Sequence, residues 1–374
     1  MLLTELEVRN FRNVRGTIAC GVGLNILLGE NGQGKTNWLE AMYFLATTRS
    51  FRTAKLSEAV CFGEQTAVVS GRVRQSEDIT RELRAVIEGN AKAFLVNNKR
   101  ESVQRYLGQL HAVVFNADEL EIVRGTPDNR RRFLDESITA IHPPYIQTVT
   151  DYNRVIKQKN SLLQTAREKE YPLEKAAELL EPWNEQVVLL AAKIHRSRVR
   201  IVERLNEALD KDLFGDRHIS IRYASSLEEK GDLADYAALI AERLRLRVKA
   251  EIVAGHSLIG THRDDLEILL DGREIRKFGS AGQQRSALLM LQLANIEIYF
   301  SQRGEYPLFL LDDIDAELDY RRIGQLLEYL DGKTQTFVTT SKESFIDQFG
   351  APANIFRISA GEAVSETKSI VTSI

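Results

Sequence analysis

Residues 24 to 36 decide the fold: Leu24-Asn25-Ile26-Leu27-Leu28-Gly29-Glu30-Asn31-Gly32-Gln33-Gly34-Lys35-Thr36. The first five form a short, largely apolar run, the pattern of a central strand buried on both faces. The next eight fit G-x-x-x-x-G-K-[ST]. Glycines at these positions let successive backbone N–H groups curl around phosphate oxygens. In this motif the lysine, Lys35, reaches the β- and γ-phosphates, and the Thr36 hydroxyl ligates Mg2+. Residues 36–46 then read as a helix, whose N-terminal dipole adds to the attraction for an anion. Asn31, Gly32, Gly34, Lys35 and Thr36 are therefore candidate nucleotide-binding residues, with Lys35 also a candidate catalytic charge and Thr36 a candidate metal ligand. The competing reading is a structural Gly-rich turn; a strand before the motif and a helix after it favour the phosphate loop.

A phosphate loop needs an acid on a neighbouring strand. Leu308-Phe309-Leu310-Leu311-Asp312-Asp313 supplies it, four apolar residues ending in two carboxylates. Asp312 is expected to hold Mg2+ through water, and Asp313 to orient or deprotonate the attacking water. A third piece is Ser280-Ala281-Gly282-Gln283-Gln284-Arg285, opening a long helix. Ser280 suits an N-cap and Gly282 permits close backbone approach. One phosphate loop already cradles one nucleotide, so a second phosphate-facing helix start suggests a composite site. The simplest geometry is two chains head to tail, each completing the other's site. Taken alone, this segment reads better as a plain helix cap.

The chain has 374 residues, enough for two or three lobes. Its 50 Lys+Arg against 53 Asp+Glu leave a formal net charge of −3, so whole-molecule attraction to nucleic acid or to an anionic membrane is weak. Any such binding must come from a local basic surface. The two cysteines, Cys20 and Cys61, have no metal-ligand spacing and are too few for a disulfide framework, which fits a reducing, cytoplasmic setting. The start MLLTELEVRNFRN has no apolar signal core, and no 18-residue apolar run occurs, so no membrane span is expected.

Outward from the motif, the N-terminal third reads as β-rich. Residues 2–8, 66–74, 81–88 and 92–97 alternate as half-buried strands do, with a hairpin turn at Gly89-Asn90. From about 127 to 215 the chain reads as helical. Thr126 caps, Pro127 takes the first turn, and Leu180, Trp183, Val187, Leu190, Ile194, Ile201, Leu205 and Leu209 form one apolar stripe that Gly215 would end. Trp38 and Trp183 are both expected in the core. A strand at 218–223 and a helix at 233–249 follow. From about 257 the α/β pattern returns: a hairpin at Asp271-Gly272, helices 281–302 and 319–330, and strands 307–312, 335–340 and 354–359. The expected fold class is α/β, a P-loop head built from both chain ends (1–124 and 256–374) with an inserted, mainly helical lobe (125–255).

P-loop, Ser-x-Gly-Gln helix and Leu-Leu-Asp-Asp strand, in that order around a large insertion, resemble the ABC-type ATPase heads of the SMC/Rad50/RecF group. Finer features are similar to the RecF family of DNA replication and repair proteins. They are the opening LEVRNFRNVRG, Val114–Leu120 (VFNADEL), the run Gly125-Thr126-Pro127-Asp128-Asn129-Arg130-Arg131-Arg132-Phe133-Leu134-Asp135, the block Thr261-His262-Arg263-Asp264-Asp265-Leu266, and Asp315-Ala316-Glu317-Leu318-Asp319. The departures are Asn116-Ala117 where Ser-Pro is common, Thr261 where Pro is usual, Ala316 where Ser is usual, and Thr339-Thr340-Ser341 with no switch histidine. The resemblance implies an ATP-dependent DNA clamp. ATP binding would close a homodimer, with nucleotide and Mg2+ held between the P-loop of one copy and Ser280, Gly282 and Gln283 of the other. Thr340 would contact the γ-phosphate, and slow, DNA-stimulated hydrolysis would reopen the dimer. The implied partners are duplex or gapped DNA, RecR and RecO, in loading recombinase.

Two basic clusters could meet phosphates: Lys193, Arg196, Arg198, Arg200 and Arg204, and then Arg243, Arg245, Arg247 and Lys249. The competing reading is a solvated helix face, since Glu203, Glu207 and Glu242 interleave. Arg130-Arg131-Arg132 either builds structure or couples ATP to the insert. The six histidines show no mutual metal spacing. Two other functional readings stand beside the repair ATPase. One is a transporter-type ABC ATPase, which would carry Leu-Ser-Gly-Gly and a switch histidine. The other is a nucleotide-gated scaffold without turnover, which Asp313 argues against.

Overall fold

The strand of the opening motif lies in the middle of a mixed sheet. The computed structural model describes residues 1–53, 55–75, 79–209, 218–350 and 352–366. In chain order its strands are β1 (Leu2–Phe11), β2 (Val14–Ala19), β3 (Leu24–Leu28), β4 (Thr66–Arg74), β5 (Thr80–Glu88), β6 (Ala91–Val96), β7 (Lys99–Glu101), β8 (Ala112–Phe115), β9 (Ile219–Ala224), β10 (Asp265–Leu270), β11 (Arg273–Glu274), β12 (Leu308–Leu311), β13 (Thr336–Thr340), β14 (Asn354–Ser359) and β15 (Glu362–Glu366). The chain divides into two units, Met1–Leu120 with Arg285–Ile374, and Glu121–Gln284.

The first unit holds two sheets. One is antiparallel, in the order β2-β1-β4-β5-β6-β7. The other runs β15-β14-β3-β13-β12-β8, with β14, β3, β13, β12 and β8 parallel and β15 folded back as a hairpin. Helix Lys35–Thr47 holds the two together. Ten of its 13 residues are buried, and a helix that is apolar nearly all round needs cover on every side. Trp38, Leu39, Met42 and Phe44 share one core with Leu3, Leu6 and Val8 of β1, Val69 of β4, and Leu310, Phe337 and Phe356 of the parallel sheet.

The alternation in residues 66–97 places β4, β5 and β6, and the Gly89-Asn90 turn pairs Glu88 with Ala91, with Gly89 at φ 57°. Strands β2, β7, β8 and β15 are additions to the expected set. β8 is four residues long, all buried, and too short for periodicity to separate from a loop.

The second unit is helical over Pro127–Ile141, Tyr145–Glu168 and Leu173–Leu209. Thr126 stands at the N-cap and Pro127 opens the first helix, although the threonine side chain makes no capping bond. Pro143-Pro144 separates the first two helices, proline lacking the N–H that a continuing helix would need. Along the third, Leu180, Val187, Ile194, Ile201, Leu205 and Leu209 are buried, whereas Trp183 and Leu190 are half-buried. Trp38 is thus a core residue and Trp183 a flank. Gly215 lies outside the described residues.

The expected return to the head at residue 256 needs correction. β10 pairs antiparallel with β9 over six residues, from Asp265↔Ala224 to Leu270↔Ile219. These ladder bonds hold residues 256–284 in the inserted unit, and the chain re-enters the first unit at Arg285.

A half-buried histidine belongs to the same unit. The Tyr152 hydroxyl lies 2.8 Å from His262 Nδ1, and His262 Nε2 lies 3.3 Å from the Ser257 carbonyl. A carbonyl only accepts, so Nε2 carries the proton and Nδ1 accepts from the phenol, which is the neutral ring. Burial pushes its pKa down to about 4. The unfolded ring titrates near 6.5, so this contribution to stability is complete above pH ~6.5 and is lost as pH falls toward 4. We expect urea unfolding of the wild type to lose about 3 kcal/mol across that window through this residue, and His262→Gln to flatten the slope. Parallel slopes for the two proteins would assign the titration elsewhere.

Candidate nucleotide site

The C-terminal ends of β3, β13, β12 and β8 lie side by side, the edge of a parallel sheet where ligands bind. The loop after β3 has left-handed backbone at Gly32 (φ 81°) and Gly34 (φ 107°), where a side chain would be strained. A Cβ on Gly29 would stand 2.4 Å from the Ile358 carbonyl of β14. Gly34 is the N-cap of helix Lys35–Thr47 and has no side chain to bond the first-turn amides, so these face the loop. Lys35 is buried; its Nζ donates to the carbonyls of Gly29 (2.7 Å) and Glu30 (3.0 Å), leaving one of its three N–H bonds. Asn31 is exposed in the turn. The β14–β15 turn clamps the loop: Ala360 N–H donates to Gln33 Oε1 (2.6 Å) and Gly361 N–H to the Gln33 carbonyl (2.9 Å).

The acid at the end of β12 meets the loop directly. Asp312 Oδ1 accepts from the hydroxyls of Thr36 (3.0 Å) and Thr339 (2.7 Å). Burial raises the Asp312 pKa above the usual aspartate value and the neighbouring Asp313 charge adds to this, while the two hydroxyls pull it back down. Among the described residues no cluster of three or more His, Cys, Asp or Glu could hold a metal. One carboxylate beside one hydroxyl is instead the donor set of Mg2+, which keeps several waters and takes the rest of its ligands from phosphate. Asp313 is exposed and left-handed, at φ 46° and ψ 45°.

Thr340 and Thr339 occupy different places. Thr340 is fully buried; its hydroxyl accepts from the Lys342 N–H (3.1 Å) and its carbonyl from the Gly29 N–H (3.3 Å). It is Thr339 that carries a hydroxyl to the Asp312 carboxylate. Alternation along a strand sends adjacent side chains to opposite faces, and that signal separates the two once the register is known. Sequence reading also passed over Arg52. Its Nη1 donates to Asn37 Oδ1 (2.6 Å), and its charge lowers the Asp312 pKa. At the end of β8, Asn116 accepts from Glu119 N–H (2.8 Å), and its buried Nδ2 has no partner. Beyond Asp313, Asp315 pairs with Lys342 (3.0 Å), Glu317 with Arg285 (2.6 Å), and Asp319 caps helix Tyr320–Leu330.

The Ser280 segment belongs to the second unit and the P-loop to the first. Ser280 N–H donates to Gln283 Oε1 (2.8 Å) and Gln283 N–H to Ser280 Oγ (3.3 Å), a reciprocal capping box. The Gln283 side chain is thereby turned onto its own helix start. Gly282 is exposed, and a Cβ there would meet no atom within 4 Å.

This constellation has known counterparts. The RecF/RecN/SMC N-terminal domain family matches residues 2–364. The DNA replication and repair protein RecF of Geobacillus kaustophilus (strain HTA426) is 35% identical over 378 residues, spanning 98% of this chain and 100% of the relative. The chain belongs to the RecF family. The RecF protein of Lactobacillus johnsonii is likewise 35% identical over 373 residues, spanning 96% of this chain and 98% of its own length. Among solved structures, the recombination mediator protein RecF with ATP, of the RecFOR pathway, matches with a TM-score of 0.87 at 30% identity, over 98% of this chain and 97% of that one. An Smc head bound to the C-winged helix domain of ScpA matches with a TM-score of 0.54 at 16% identity, over 100% of this chain and 99% of that one, a likeness of fold alone. Among the described residues no helix is long and apolar enough to cross a membrane.

The RecF family's sequence blocks at 125–135 and 261–266 serve the interior of the second unit. Arg130 forms two bonds to Asp265 (2.7 and 2.9 Å), and Arg131 donates to the Asp264 carbonyl (2.6 Å). Asp135 takes two bonds from Arg198 (2.9 Å each) and one from the Tyr145 hydroxyl (2.7 Å). Arg198 is therefore a structural ion-pair residue and leaves the set of DNA candidates. Arg243 also bonds inward, to the Lys230 carbonyl. Lys193, Arg196, Arg200, Arg204, Arg245, Arg247 and Lys249 are exposed. Arg198→Ala should cost about 3 kcal/mol by taking both guanidinium bonds from the half-buried Asp135 carboxylate. Arg200→Ala should change stability by less than about 0.5 kcal/mol. Denaturant unfolding of both variants checks the contrast.

Proposed function

We propose that this chain is a DNA-repair ATPase that binds ATP with Mg2+ and closes as a head-to-tail homodimer on duplex or gapped DNA. The observation that carries the reading is the junction of Thr36 and Asp312 beside a glycine loop that Lys35 closes, in a chain of the RecF family. Asn31, Gly32, Gly34, Lys35 and Thr36 would cradle the triphosphate. Thr36 and Asp312 would hold Mg2+, which supplies charge neutralisation of the phosphates. Asp313 is exposed at the strand end, suited to orient or deprotonate water, and turnover would be slow. DNA would speed that turnover. Thr340 stays in the site as a candidate γ-phosphate neighbour through its strand end.

The second copy would supply Ser280, Gly282 and Gln283. Gly282 supports this, because a Cβ there would meet no atom within 4 Å, so packing within the chain does not require a glycine. Close approach by a group from outside the chain accounts for it. A RecF structure with ATP in the RecFOR pathway supports ATP, and RecR and RecO as partners; the proposed task with them is recombinase loading in the cytoplasm. Membership of the RecF family replaces the transporter-type reading.

Sedimentation with ATP, with ADP and without nucleotide tests the dimer, which should form with ATP only. Asp313→Asn should hold it closed. Gly282→Ala should leave the fold as stable as before, or up to about 1 kcal/mol more so, yet remain monomeric with ATP. A Gly282→Ala protein that dimerises like its parent would remove the shared pocket. DNA retention should need ATP, and each of Lys193→Ala, Arg196→Ala, Arg200→Ala and Arg204→Ala should lower the slope of log affinity against log salt by about 0.9 if its charge meets a phosphate.

A further inference from the structure

We propose that Thr339 is a positioning residue for hydrolysis, and that its hydroxyl sets the backbone of Asp313 and the carboxylate of Asp312 together. The inference rests on the ATPase reading above and adds to it a residue outside the loop and the acid pair.

A threonine hydroxyl has one proton to give and two lone pairs to receive with. The Asp313 N–H donates to Thr339 Oγ1 at 2.7 Å, and a backbone N–H can only donate. That bond directs the single Thr339 proton elsewhere, and the acceptor in reach is Asp312 Oδ1, also at 2.7 Å. The Thr36 hydroxyl arrives at the same oxygen from the P-loop, at 3.0 Å. The result is one directed chain: Asp313 amide to Thr339, Thr339 to Asp312, and Thr36 to Asp312. Every member is at the C-terminal edge of the parallel sheet, and Thr339 is fully buried, so water does not replace it.

The amide at the head of this chain belongs to a strained residue. Asp313 sits at φ 46° and ψ 45°, a left-handed conformation that is unfavourable for an L-residue and persists where neighbours hold it. Its N–H is the atom that Thr339 grips. Turning the peptide out of that conformation moves the Asp313 carboxylate, the group placed to act on water. The same hydroxyl occupies one oxygen of Asp312, leaving the second for a hydrated metal. Thr339 therefore acts at both acids while touching neither phosphate nor water itself. The reason it escapes a motif search is chemical: serine and threonine serve equally, and the residue is 26 positions from Asp313.

The test compares Thr339→Val, which keeps the shape and removes the hydroxyl, with Thr339→Ser, which keeps the hydroxyl, each carrying the full chain. ATP turnover, binding of a fluorescent ATP analogue, and the Mg2+ concentration needed for half-maximal binding are measured for each. For Thr339→Val we expect kcat to fall by about ten- to a hundredfold, the loss that a misplacement of about 1 Å produces, with KM within about threefold. Its Mg2+ requirement should rise, and Thr339→Ser should restore both. Should Thr339→Val fail to fold, Thr339→Ala removes the same hydroxyl without added bulk and carries the same expectation. A kcat and Mg2+ requirement equal to the wild type in the folded variant would overturn the proposal, as would equal losses in the Val and Ser variants. Failure of the ATPase reading would appear differently, as wild-type turnover no greater than that of Lys35→Ala.

Discussion

Burial of helix Lys35–Thr47 between two sheets is the constraint on which the first unit depends. Trp38, Leu39, Met42 and Phe44 are each fully buried, and the core they share reaches both the antiparallel and the parallel sheet. Fully burying a side chain of this size stabilises by about 1.5–3 kcal/mol, so this helix alone ties the sheets with several such contributions. The glycine loop is the N-terminal extension of that helix. It cannot drift, because Trp38 Nε1 donates to the Gly361 carbonyl while the β14–β15 turn bonds Gln33. A loop of glycines, flexible in isolation, is thereby held in a single conformation. That preorganisation is what a phosphate site needs, because binding then orders little more of the chain.

Charge is handled in the same way in both units: ionised groups leave water only with partners. Glu40 is fully buried and takes two bonds from Arg12 (2.9 and 3.0 Å) and one from Ser50 (2.6 Å). Lys159 and Glu251 are paired at 2.7 Å inside the second unit, with Ser257 and Leu258 bonding the same carboxylate. Such pairs add little net stability over apolar packing, but breaking one is expensive, which makes them devices for specifying a single arrangement. The blocks that resemble the RecF family at 125–135 and 261–266 are of this kind. The partners of Arg130 and Arg131 show that their charge is spent within the unit, which favours the structural reading over a coupling one.

How far the sequence could be read depended on the range of the interactions involved. The phosphate loop, the apolar strand before it and the two acids after β12 are contiguous patterns. Each is dictated by local requirements: φ above zero for Gly32 and Gly34, burial on both faces for Leu308–Leu311, and an apolar period for the helices. The inserted helices were legible for the same reason, from Thr126-Pro127 to the stripe ending at Leu209. Strand β8 was not, since four buried residues carry no period.

What tertiary structure alone decided are the matters set by partners far apart in the chain. Residues 256–284 join the inserted unit because β10 pairs with β9, about 45 residues earlier, and nothing in either strand's own pattern names the other. Thr339, rather than its neighbour Thr340, meets the acids because strand register turns one hydroxyl toward Asp312 and the other toward the Lys342 amide. Arg198 is lost to DNA because Asp135 lies across from it, 63 residues away. Local chemistry was therefore written in the sequence, residue by residue. Which hydroxyl, which cation and which strand were used depended on who came to lie beside them, and only the folded chain brings those groups together.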